Sequence, residues 1–437
     1  MSMAMIAKQL HGAIRPGERR HPVHRPYSTV TSSMAGIVAG LVLSMVAVGC
    51  GSGAAVDPIW DVELPFSQVD VVAVVGDAVF CLGTDADLSY GMAPCRMVIY
   101  TAATGAERFH KILDLRALRG SDSGRASGNF VLIEGTTAVV VSDSGRIRAF
   151  DATSGHELWS SDEIDDIYGS GDGYVFASDR SSRLAAFDSR TGTRSAADAH
   201  LAWKNRIASD ACAVAVDGRL YVASGESIHS LDVPTWRERW SHPLKSNRTD
   251  VAVANGCVIA TSRNGWEVID AEKGALLWSF VAYETRRPMA PAIDGDRLLT
   301  TRGRASNSEI EEGYLRIYDL RTGDLQTRYP MATLPEPDAV VAVAGRLYLT
   351  ATEPHYGLLR KPLVESTSGD ELAKTVDCRP AAMEISTGKT MWIGEPASWG
   401  SLTRPAVSAD GFVAVAAMTP KRNKPARLRS YRPVFGT

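Results

Sequence analysis

Acidic side chains cluster in one short stretch of the chain, and carboxylates are the groups in this sequence best suited to holding a metal ion. The stretch contains Asp162, Glu163, Asp165, Asp166 and Asp172. Because Ca²⁺ prefers several oxygen ligands, a calcium site is one interpretation of the cluster. The spacing does not match an EF-hand loop, and we favour the interpretation that this is a solvated acidic loop.

No other residues have the spacing of a catalytic or metal site. The histidines after residue 56 are scattered and lack the spacing of zinc ligands; they are His110, His156, His200, His229, His242 and His355. The sequence has no G-x-S-x-G nucleophile motif and no glycine-rich phosphate loop between a strand and a helix. We therefore expect no catalytic residue, no metal and no cofactor.

The charge balance argues against a general nucleic-acid binder. The chain of 437 residues has 47 Lys and Arg against 50 Asp and Glu, a formal net charge of -3. Proteins that bind nucleic acid without strong sequence preference are usually clearly basic. We expect a monomer that does not bind nucleic acid.

Cysteine is the remaining residue type with chemistry of its own. Cys81 lies on a predicted second strand and Cys95 at the start of the third, and these strands are antiparallel neighbours. A disulfide between them is geometrically possible in an exported protein. Cys212, Cys257 and Cys378 fall in separate repeats and are predicted to be small buried hydrophobic residues.

The N-terminal region indicates export. Residues 1–33 form a polar extension, and residues 34–50 contain an apolar run whose length suits a signal peptide better than a spanning helix. The run ends in Ala47-Val48-Gly49-Cys50, which resembles a bacterial lipobox. That resemblance implies acylation of Cys50, with residues 51–56 as a flexible tether. An uncleaved anchor and an ordinary signal peptide are the alternatives.

The rest of the chain consists of one repeated hairpin, for which Ile147 to Trp159 is the clearest copy. Asp151 is placed to accept hydrogen bonds from backbone N–H groups two residues on. Gly155 supplies the positive φ that such a loop commonly needs. Trp159 lies on the outgoing strand, where its ring can pack against a neighbouring copy.

Seven copies can be aligned, and this number predicts a repeat architecture. The Gly position holds Gly105, Gly155, Gly192, Trp236, Gly274, Gly323 and Gly388. The Asp position, four residues earlier, holds Thr101, Asp151, Asp188, Asp232, Asp270, Asp319 and Glu384. The aromatic position, four residues later, holds Phe109, Trp159, Ala196, Trp240, Trp278, Thr327 and Trp392. Ala196, Thr327 and Trp236 break the pattern, so their repeats are expected to pack less regularly.

The repeats predict an all-β fold, an eight-bladed β-propeller of four-stranded antiparallel blades over residues 57–437. Pro58 to Leu64 reads as a last strand without its blade, with Trp60 at the aromatic position. Ala406 to Met418 and Arg427 to Val434 read as three strands that lack a fourth. We expect the N-terminal strand to complete this blade and close the ring, because closure removes exposed sheet edges.

The repeat has the form G-x-[VL]-x-A-x-D-x-x-T-G-x-x-x-W and resembles the PQQ-like β-propeller repeat. This repeat occurs in quinoprotein alcohol dehydrogenases and in BamB-like lipoproteins, and the resemblance covers about Asp57 to Val434. In the quinoproteins a Ca²⁺ held by Glu, Asn and Asp accompanies the cofactor. Those ligands do not map onto this chain, and the family's adjacent-cysteine disulfide is absent from it.

Together these features predict a lipoprotein anchored on the extracytoplasmic face of the cell membrane, whose propeller is a protein-interaction scaffold for other envelope proteins. The alternatives are a PQQ- or quinone-dependent dehydrogenase-like protein and a small-molecule sensor. Insertions between the second and third strands of four blades predict a binding face, with neutral drift as the alternative. They span Thr84 to Arg96, Gly303 to Gly313, Glu353 to Arg379 and Thr419 to Ala426.

Overall fold

The computed structural model describes most of the chain after residue 53. The described residues are 54–84, 94–116, 131–141, 147–162, 164–179, 183–195, 211–233, 235–245, 250–262, 265–281, 292–305, 310–331, 334–352, 378–394, 401–402, 405–408, 410–418 and 425–432. Residues 1–53, with Cys50 and the predicted signal segment, lie outside them. The same holds for most of the four insertions.

The described chain is all-β, and its strands form consecutive antiparallel meanders that we number as units in chain order. Two short strands, β1 (Ala54–Val56) and β2 (Trp60–Glu63), precede the first unit. Unit 1 is β3 (Gln68–Val75), β4 (Ala78–Thr84), β5 (Pro94–Thr101) and β6 (Glu107–Arg116). Unit 2 is β7 (Val131–Glu134), β8 (Thr137–Val141), β9 (Ile147–Asp151) and β10 (Glu157–Ser161).

Units 3 and 4 share one seven-stranded sheet, because their first strands pair in parallel. Unit 3 is β11 (Ile164–Gly171), β12 (Tyr174–Asp179) and β13 (Leu184–Asp188), with one further bridge from Phe187 to Arg194. Unit 4 is β14 (Cys212–Val216), β15 (Arg219–Ser224), β16 (Ser227–Asp232) and β17 (Glu238–Pro243).

The later units repeat the same order. Unit 5 is β18 (Asp250–Ala254), β19 (Cys257–Ser262), β20 (Gly265–Asp270) and β21 (Leu276–Val281). Unit 6 is β22 (Ala292–Asp294), β23 (Arg297–Ala305), β24 (Ile310–Asp319) and β25 (Leu325–Met331). Unit 7 is β26 (Leu334–Val343), β27 (Arg346–Thr352), β28 (Cys378–Glu384) and β29 (Thr390–Gly394). Unit 8 contains β30 (Ser401–Leu402), β31 (Ala406–Val407), β32 (Val413–Met418) and β33 (Arg427–Tyr431).

Each unit buries both faces of its middle strands. Every residue of β4 is buried, and most of β12, β15 and β32 is buried as well. First strands carry small residues of intermediate exposure, as in the Val-Ala-Val-Ala run of β18. The alternation of side chains along each strand therefore serves two cores, one on either side of the sheet.

The buried residues form hydrophobic cores that lie between units. Each core draws on two units that follow one another in the chain, from units 1 and 2 to units 7 and 8. One further core joins unit 8 to unit 1, through Phe412 and Leu428 on one side and Val79 and Tyr100 on the other. We call the contact between two such units a seam.

The strands that precede unit 1 pair with the last two units. Strand β2 pairs antiparallel with β33, in the register Trp60 to Ser430. Asp61 accepts hydrogen bonds from Arg427 Nε at 2.9 Å and Arg429 Nε at 3.2 Å. Strand β1 pairs in parallel with β29, whereas the sequence predicts that Ala54–Val56 belong to a flexible tether. This segment is therefore part of a sheet.

The predicted disulfide between Cys81 and Cys95 is not formed, and both side chains are buried thiols. Cys81 lies opposite Val98, and Cys95 lies opposite Thr84. Cys95 is three residues from Val98, so the alternation of the strand places it on the other face of the sheet. Cys81 contributes to the core with unit 8 and Cys95 to the core with unit 2.

Candidate functional site

The turn between the third and fourth strands, which we call the Asp–Gly turn, is built as the sequence predicts. Asp151 Oδ1 accepts hydrogen bonds from the backbone N–H groups of Thr153 at 2.9 Å and Ser154 at 2.8 Å. Gly155 has a φ of 76° and donates its N–H to the Asp151 carbonyl at 2.7 Å. Burial by itself would raise the pKa of the Asp151 carboxyl, but these hydrogen bonds outweigh it and lower the pKa.

Three other copies of the turn have the same hydrogen bonds. Asp188, Asp270 and Asp319 each accept from the backbone N–H groups two and three residues on, at 2.8 to 3.0 Å. Asp232 departs from this geometry, since its carboxylate binds the Arg239 guanidinium instead. The turn is therefore set mainly by local backbone chemistry.

The aromatic position packs on the turn of the following unit. A Cβ added to Gly192 would come within 2.6 Å of the Trp159 ring, and Gly274 and Gly323 stand in the same relation to Trp240 and Trp278. Gly105 lies against Trp60, and Gly155 against Phe109. Glycine at this position thus combines a positive φ with the space for an aromatic ring.

Each of these tryptophans also donates its indole N–H to a backbone carbonyl on the following unit. The acceptor is the residue directly after the Asp position in every case. The pairs are Trp60 with Ala102 at 2.8 Å, Trp159 with Ser189 at 2.8 Å, Trp240 with Ala271 at 3.1 Å and Trp278 with Leu320 at 2.9 Å. The packing of the indole ring and the hydrogen bond from its N–H group together stabilise the seam.

Two departures from the pattern are compensated in the structure. Tyr329, two residues after Thr327, covers Gly388 and donates its hydroxyl to the Ser386 carbonyl at 2.6 Å. Trp236 occupies a Gly position with a φ of 55° and packs edge-on against Tyr174 and Phe176 of unit 3. In both seams, an aromatic side chain from another position in the repeat therefore fills the space. Ala196 lies outside the described residues.

The acidic stretch does not form a cluster among the described side chains. Asp162 precedes β11 and Asp172 follows it, so the length of that strand separates them. Asp172 Oδ2 accepts the N–H of Gly218 at 2.7 Å, which links the first turns of units 3 and 4. Within the described ranges, no group of three or more His, Cys, Asp or Glu side chains is placed to hold a metal ion. The described residues do not fit the Ca²⁺ that accompanies the quinoprotein cofactor.

One polar cluster, on unit 4, was not predicted from the sequence. Ser227 Oγ lies 2.7 Å from His229 Nε2, and His229 Nδ1 lies 3.6 Å from Glu238 Oε1. Burial lowers the pKa of His229, while Glu238 acts against that shift. A serine beside an imidazole and a carboxylate resembles an activated nucleophile, although 3.6 Å exceeds hydrogen-bond distance. The signal in the sequence is Ser-x-His on a strand, which puts both side chains on one face.

The exposed large apolar side chains of the described residues all lie on or beside outermost strands. Ile112 on β6 is 58% exposed and Leu325 on β25 is 52% exposed. The others are Ile59, Leu158, Leu276 and Leu277. We call this set the apolar rim, and it is the candidate interaction surface.

The consecutive antiparallel sheets, their shared cores and the aromatic contact with the next turn define a β-propeller repeat protein. The family described as outer membrane protein assembly factor BamB matches residues 57–197 and 180–417. The chain belongs to this PQQ-like, BamB-like family. No curated protein sequence matches the chain significantly.

Solved structures show the same fold at low sequence identity. BamB from Moraxella catarrhalis is 13% identical, with a TM-score of 0.53 over 88% of this chain and 100% of that one. The quinohemoprotein alcohol dehydrogenase ADHIIG from Pseudomonas putida HK5 is 12% identical, with a TM-score of 0.53 over 88% of this chain and 76% of that one. The computationally designed Ika8 protein is 12% identical, with a TM-score of 0.54 over 87% and 99%.

Among the residues that the structure describes, no helix is long and apolar enough to cross a membrane.

Proposed function

We propose that this protein is an extracytoplasmic lipoprotein, anchored by Cys50, whose eight-bladed propeller is a scaffold that binds other envelope proteins. The observation that carries the scaffold role is the apolar rim. Outermost strands with exposed Ile and Leu side chains offer both backbone edges and apolar contacts to a partner.

The pairing of β1 with β29 supports binding at the rim. It adds a fifth strand to the outer edge of unit 7, from a segment that is not part of that meander. The outermost strands of the other units have the same kind of edge. A partner strand could be accepted in the same way, with affinity from main-chain hydrogen bonds and specificity from rim side chains.

The contacts between the two ends of the chain support a closed ring. Trp60 of β2 is 8% exposed and reaches unit 1, while β2 itself pairs with β33 of unit 8. Each unit then becomes one blade. In the eighth, β30 and β31 both pair with β32 and together take the place of the first strand, so β2 is the fourth. Closure in this manner gives every blade a neighbouring blade on both sides.

The family supports the class of partner. Its description names an outer membrane protein assembly factor, and proteins that this chain could bind in such a role would be envelope proteins. Acylation of Cys50 would hold the propeller at the membrane surface, and a doubly acylated residue anchors stably where one chain does not.

Site-specific photo-crosslinking in intact cells tests the scaffold role. We expect probes at Ile112 and Leu325 to give discrete crosslinked envelope proteins, identified by mass spectrometry. A probe at Asp217, an exposed turn residue away from the rim, is the matched control. Equal crosslinking at all three positions would contradict specific binding of partners at the apolar rim. Dye reduction by the purified protein with PQQ and Ca²⁺ would instead favour a dehydrogenase-like function.

A further inference from the structure

The polar cluster of unit 4, which consists of Ser227, His229 and Glu238, lies on one face of the sheet. Ser227 and His229 are two residues apart on β16 and therefore point to the same side. On β17, Glu238 pairs with Leu231, whose side chain is on that side as well. The pairing skips Arg239 at a β-bulge, and this bulge brings the carboxylate next to the imidazole.

The equivalent positions of other units hold different residues. A bulge at the same place recurs in units 2, 5 and 7. Three residues before the Asp position, where unit 4 has His229, these units have Arg148, Glu267 and Ala381. The bulge therefore belongs to the repeat, whereas the combination of serine, imidazole and carboxylate is a property of unit 4 that the repeat fold does not require.

The carboxylate favours one protonation state of the imidazole. Glu238 Oε1 lies 3.6 Å from His229 Nδ1, where the interaction is electrostatic rather than a hydrogen bond. A carboxylate attracts a ring nitrogen that carries a proton, and a neutral imidazole with its proton on Nδ1 has its lone pair on Nε2. The Ser227 hydroxyl, 2.7 Å away, then donates its hydrogen bond to Nε2. A serine hydroxyl placed in this way is activated as a nucleophile.

Partial burial keeps the imidazole able to accept a proton near neutral pH. The His229 side chain is 20% exposed, and the residue pairs with buried Val222 on one side and exposed Ser241 on the other. Burial lowers the pKa of His229, while Glu238 acts to raise it. The imidazole is therefore mostly neutral near neutral pH, as a general base must be. Ser227 is half-buried and Glu238 is exposed, so a small molecule can reach the cluster from solvent.

We propose that Ser227 is a nucleophile that accepts the acyl group of a carboxylic ester, with His229 as its general base and Glu238 as the residue that positions the imidazole. Ser227 Oγ forms a bond to the acyl carbon while the bond from that carbon to the alcohol oxygen breaks. The serine proton passes to His229 Nε2 and from there to the departing alcohol. Water that gives its proton to the same nitrogen then releases the carboxylic acid and restores the serine hydroxyl.

This activity does not depend on the scaffold function, because the polar cluster and the apolar rim share no residue. It departs from the sequence-based prediction that the chain has no catalytic residue. The cluster lies on the two outer strands of unit 4, β16 and β17, and both proposals can therefore be tested separately on the same protein.

A fluorophosphonate probe tests the nucleophile on the full-length protein, since its phosphorus bonds to an activated serine as fluoride leaves. We expect an adduct that tandem mass spectrometry maps to Ser227 and that Ser227→Ala abolishes. Ser241→Ala is the matched control and should be labelled like the wild type, because Ser241 is a more exposed serine on the neighbouring strand. Absence of an adduct on the wild-type protein, or an adduct at other serines alone, would overturn the proposal.

The rate of labelling tests the general base. His229→Gln should lower this rate by about a hundredfold or more, the order of a general-base contribution. Thermal unfolding establishes that the variant is folded. Equal rates for His229→Gln and the wild type would show that the imidazole does not activate the serine.

The pH dependence of labelling tests the positioning role of Glu238. Because burial lowers the pKa of His229, the wild-type rate should rise with pH around a midpoint below the ordinary histidine value of about 6.5. Glu238→Gln should move the midpoint to still lower pH, since the carboxylate acts to raise the pKa of His229. A carboxylate with only a structural role would leave the midpoint where it is, and that result would overturn the assignment.

Turnover of p-nitrophenyl acetate tests the reaction class. We expect the wild-type protein to release more than one equivalent of p-nitrophenol, at a rate that Ser227→Ala reduces to that of free histidine at the same concentration. Labelling of Ser227 by the fluorophosphonate without turnover of the ester would overturn ester hydrolysis as the reaction.

Discussion

At the scale of single residues, a ring from one unit and a glycine from the next make the recurring contact of this protein. Six described seams combine a ring with a glycine of positive φ, and four of them add an indole hydrogen bond, while Tyr329 adds a hydroxyl hydrogen bond. Phe109 makes the same contact with Gly155, but its ring has no group that could donate a hydrogen bond. The stacking of the ring and its hydrogen bond can therefore be separated by substitution.

We expect Trp278→Phe to reduce the free energy of unfolding by about 1 kcal/mol, because the ring contact remains and one hydrogen bond is lost. Trp278→Ala should cost about 3 kcal/mol, since it also leaves a cavity over Gly323. Urea unfolding measures both values. Leu276→Ala, at a site 40% exposed, is the control and should change stability little. Equal losses for Phe and Ala would contradict a stabilising ring contact.

The turn carboxylates give stability a dependence on pH. Burial acts to raise the pKa of Asp188, but hydrogen bonds from Thr191 and Arg190 outweigh it and lower the pKa in the folded protein. A lowered folded pKa contributes stability above the unfolded pKa, and this contribution is lost as pH falls through the folded value. The stability difference between wild type and Asp188→Asn should therefore shrink from about pH 5 to about pH 2.

Urea midpoints at several pH values would measure this difference. Asp250→Asn is a suitable control, because Asp250 is exposed. A difference between wild type and Asp188→Asn that stays constant over the acid range would show that the turn carboxylate is not the titrating group.

At the scale of elements, the two short N-terminal strands have separate roles. Strand β2 covers the outer edge of β33 and carries Trp60 into unit 1, whereas β1 covers the edge of β29. Without β2, strand β33 would expose a row of unpaired backbone groups. Strand β1 is shorter and adds to a sheet that already has four strands.

A chain that begins at Ser67 should therefore lose cooperative unfolding or aggregate, while one that begins at Ala54 should fold normally. A chain that begins at Asp57 keeps β2 but loses β1, and we expect an intermediate effect. Trp60→Ala should cost about 3–5 kcal/mol by comparison with other truncations of large core residues. Thermal unfolding followed by circular dichroism measures all four. If the Ser67 chain melts like the Ala54 chain, β2 does not close the fold.

At the scale of the whole molecule, the proposed membrane attachment and the fold are separable. Cys50 precedes the first described strand, and none of the seams described here includes it. A change at this residue should therefore alter the location of the protein without altering its melting temperature.

Cys50→Ala should release the protein from the membrane fraction, or leave it unprocessed, and should abolish labelling by a fatty-acid probe. Cys212→Ala is the matched control and should leave labelling and fractionation unchanged. Unchanged labelling of the Cys50→Ala protein would contradict the lipoprotein prediction.

The repeats themselves could be predicted from the sequence because they depend on local chemistry. Five consecutive residues, as in Asp151 to Gly155, contain both determinants of the turn. The Asp side chain accepts hydrogen bonds from the backbone N–H groups that follow it, and the Gly four residues later has a positive φ. Their recurrence, with an aromatic at the same offset in most copies, predicted the antiparallel units. The repeat also resembles the PQQ-like repeat, and the family model confirms this resemblance.

The contacts that join one strand to another, and one unit to the next, were decided by tertiary structure. The face on which Cys95 lies depends on the register of β4 with β5, and that register places Cys81 on the opposite face. Tyr329 fills its seam because a shift of two residues keeps a side chain on the same face of a strand. Such relations join residues far apart in the chain, so no local pattern specifies them, whereas packing of the assembled units does.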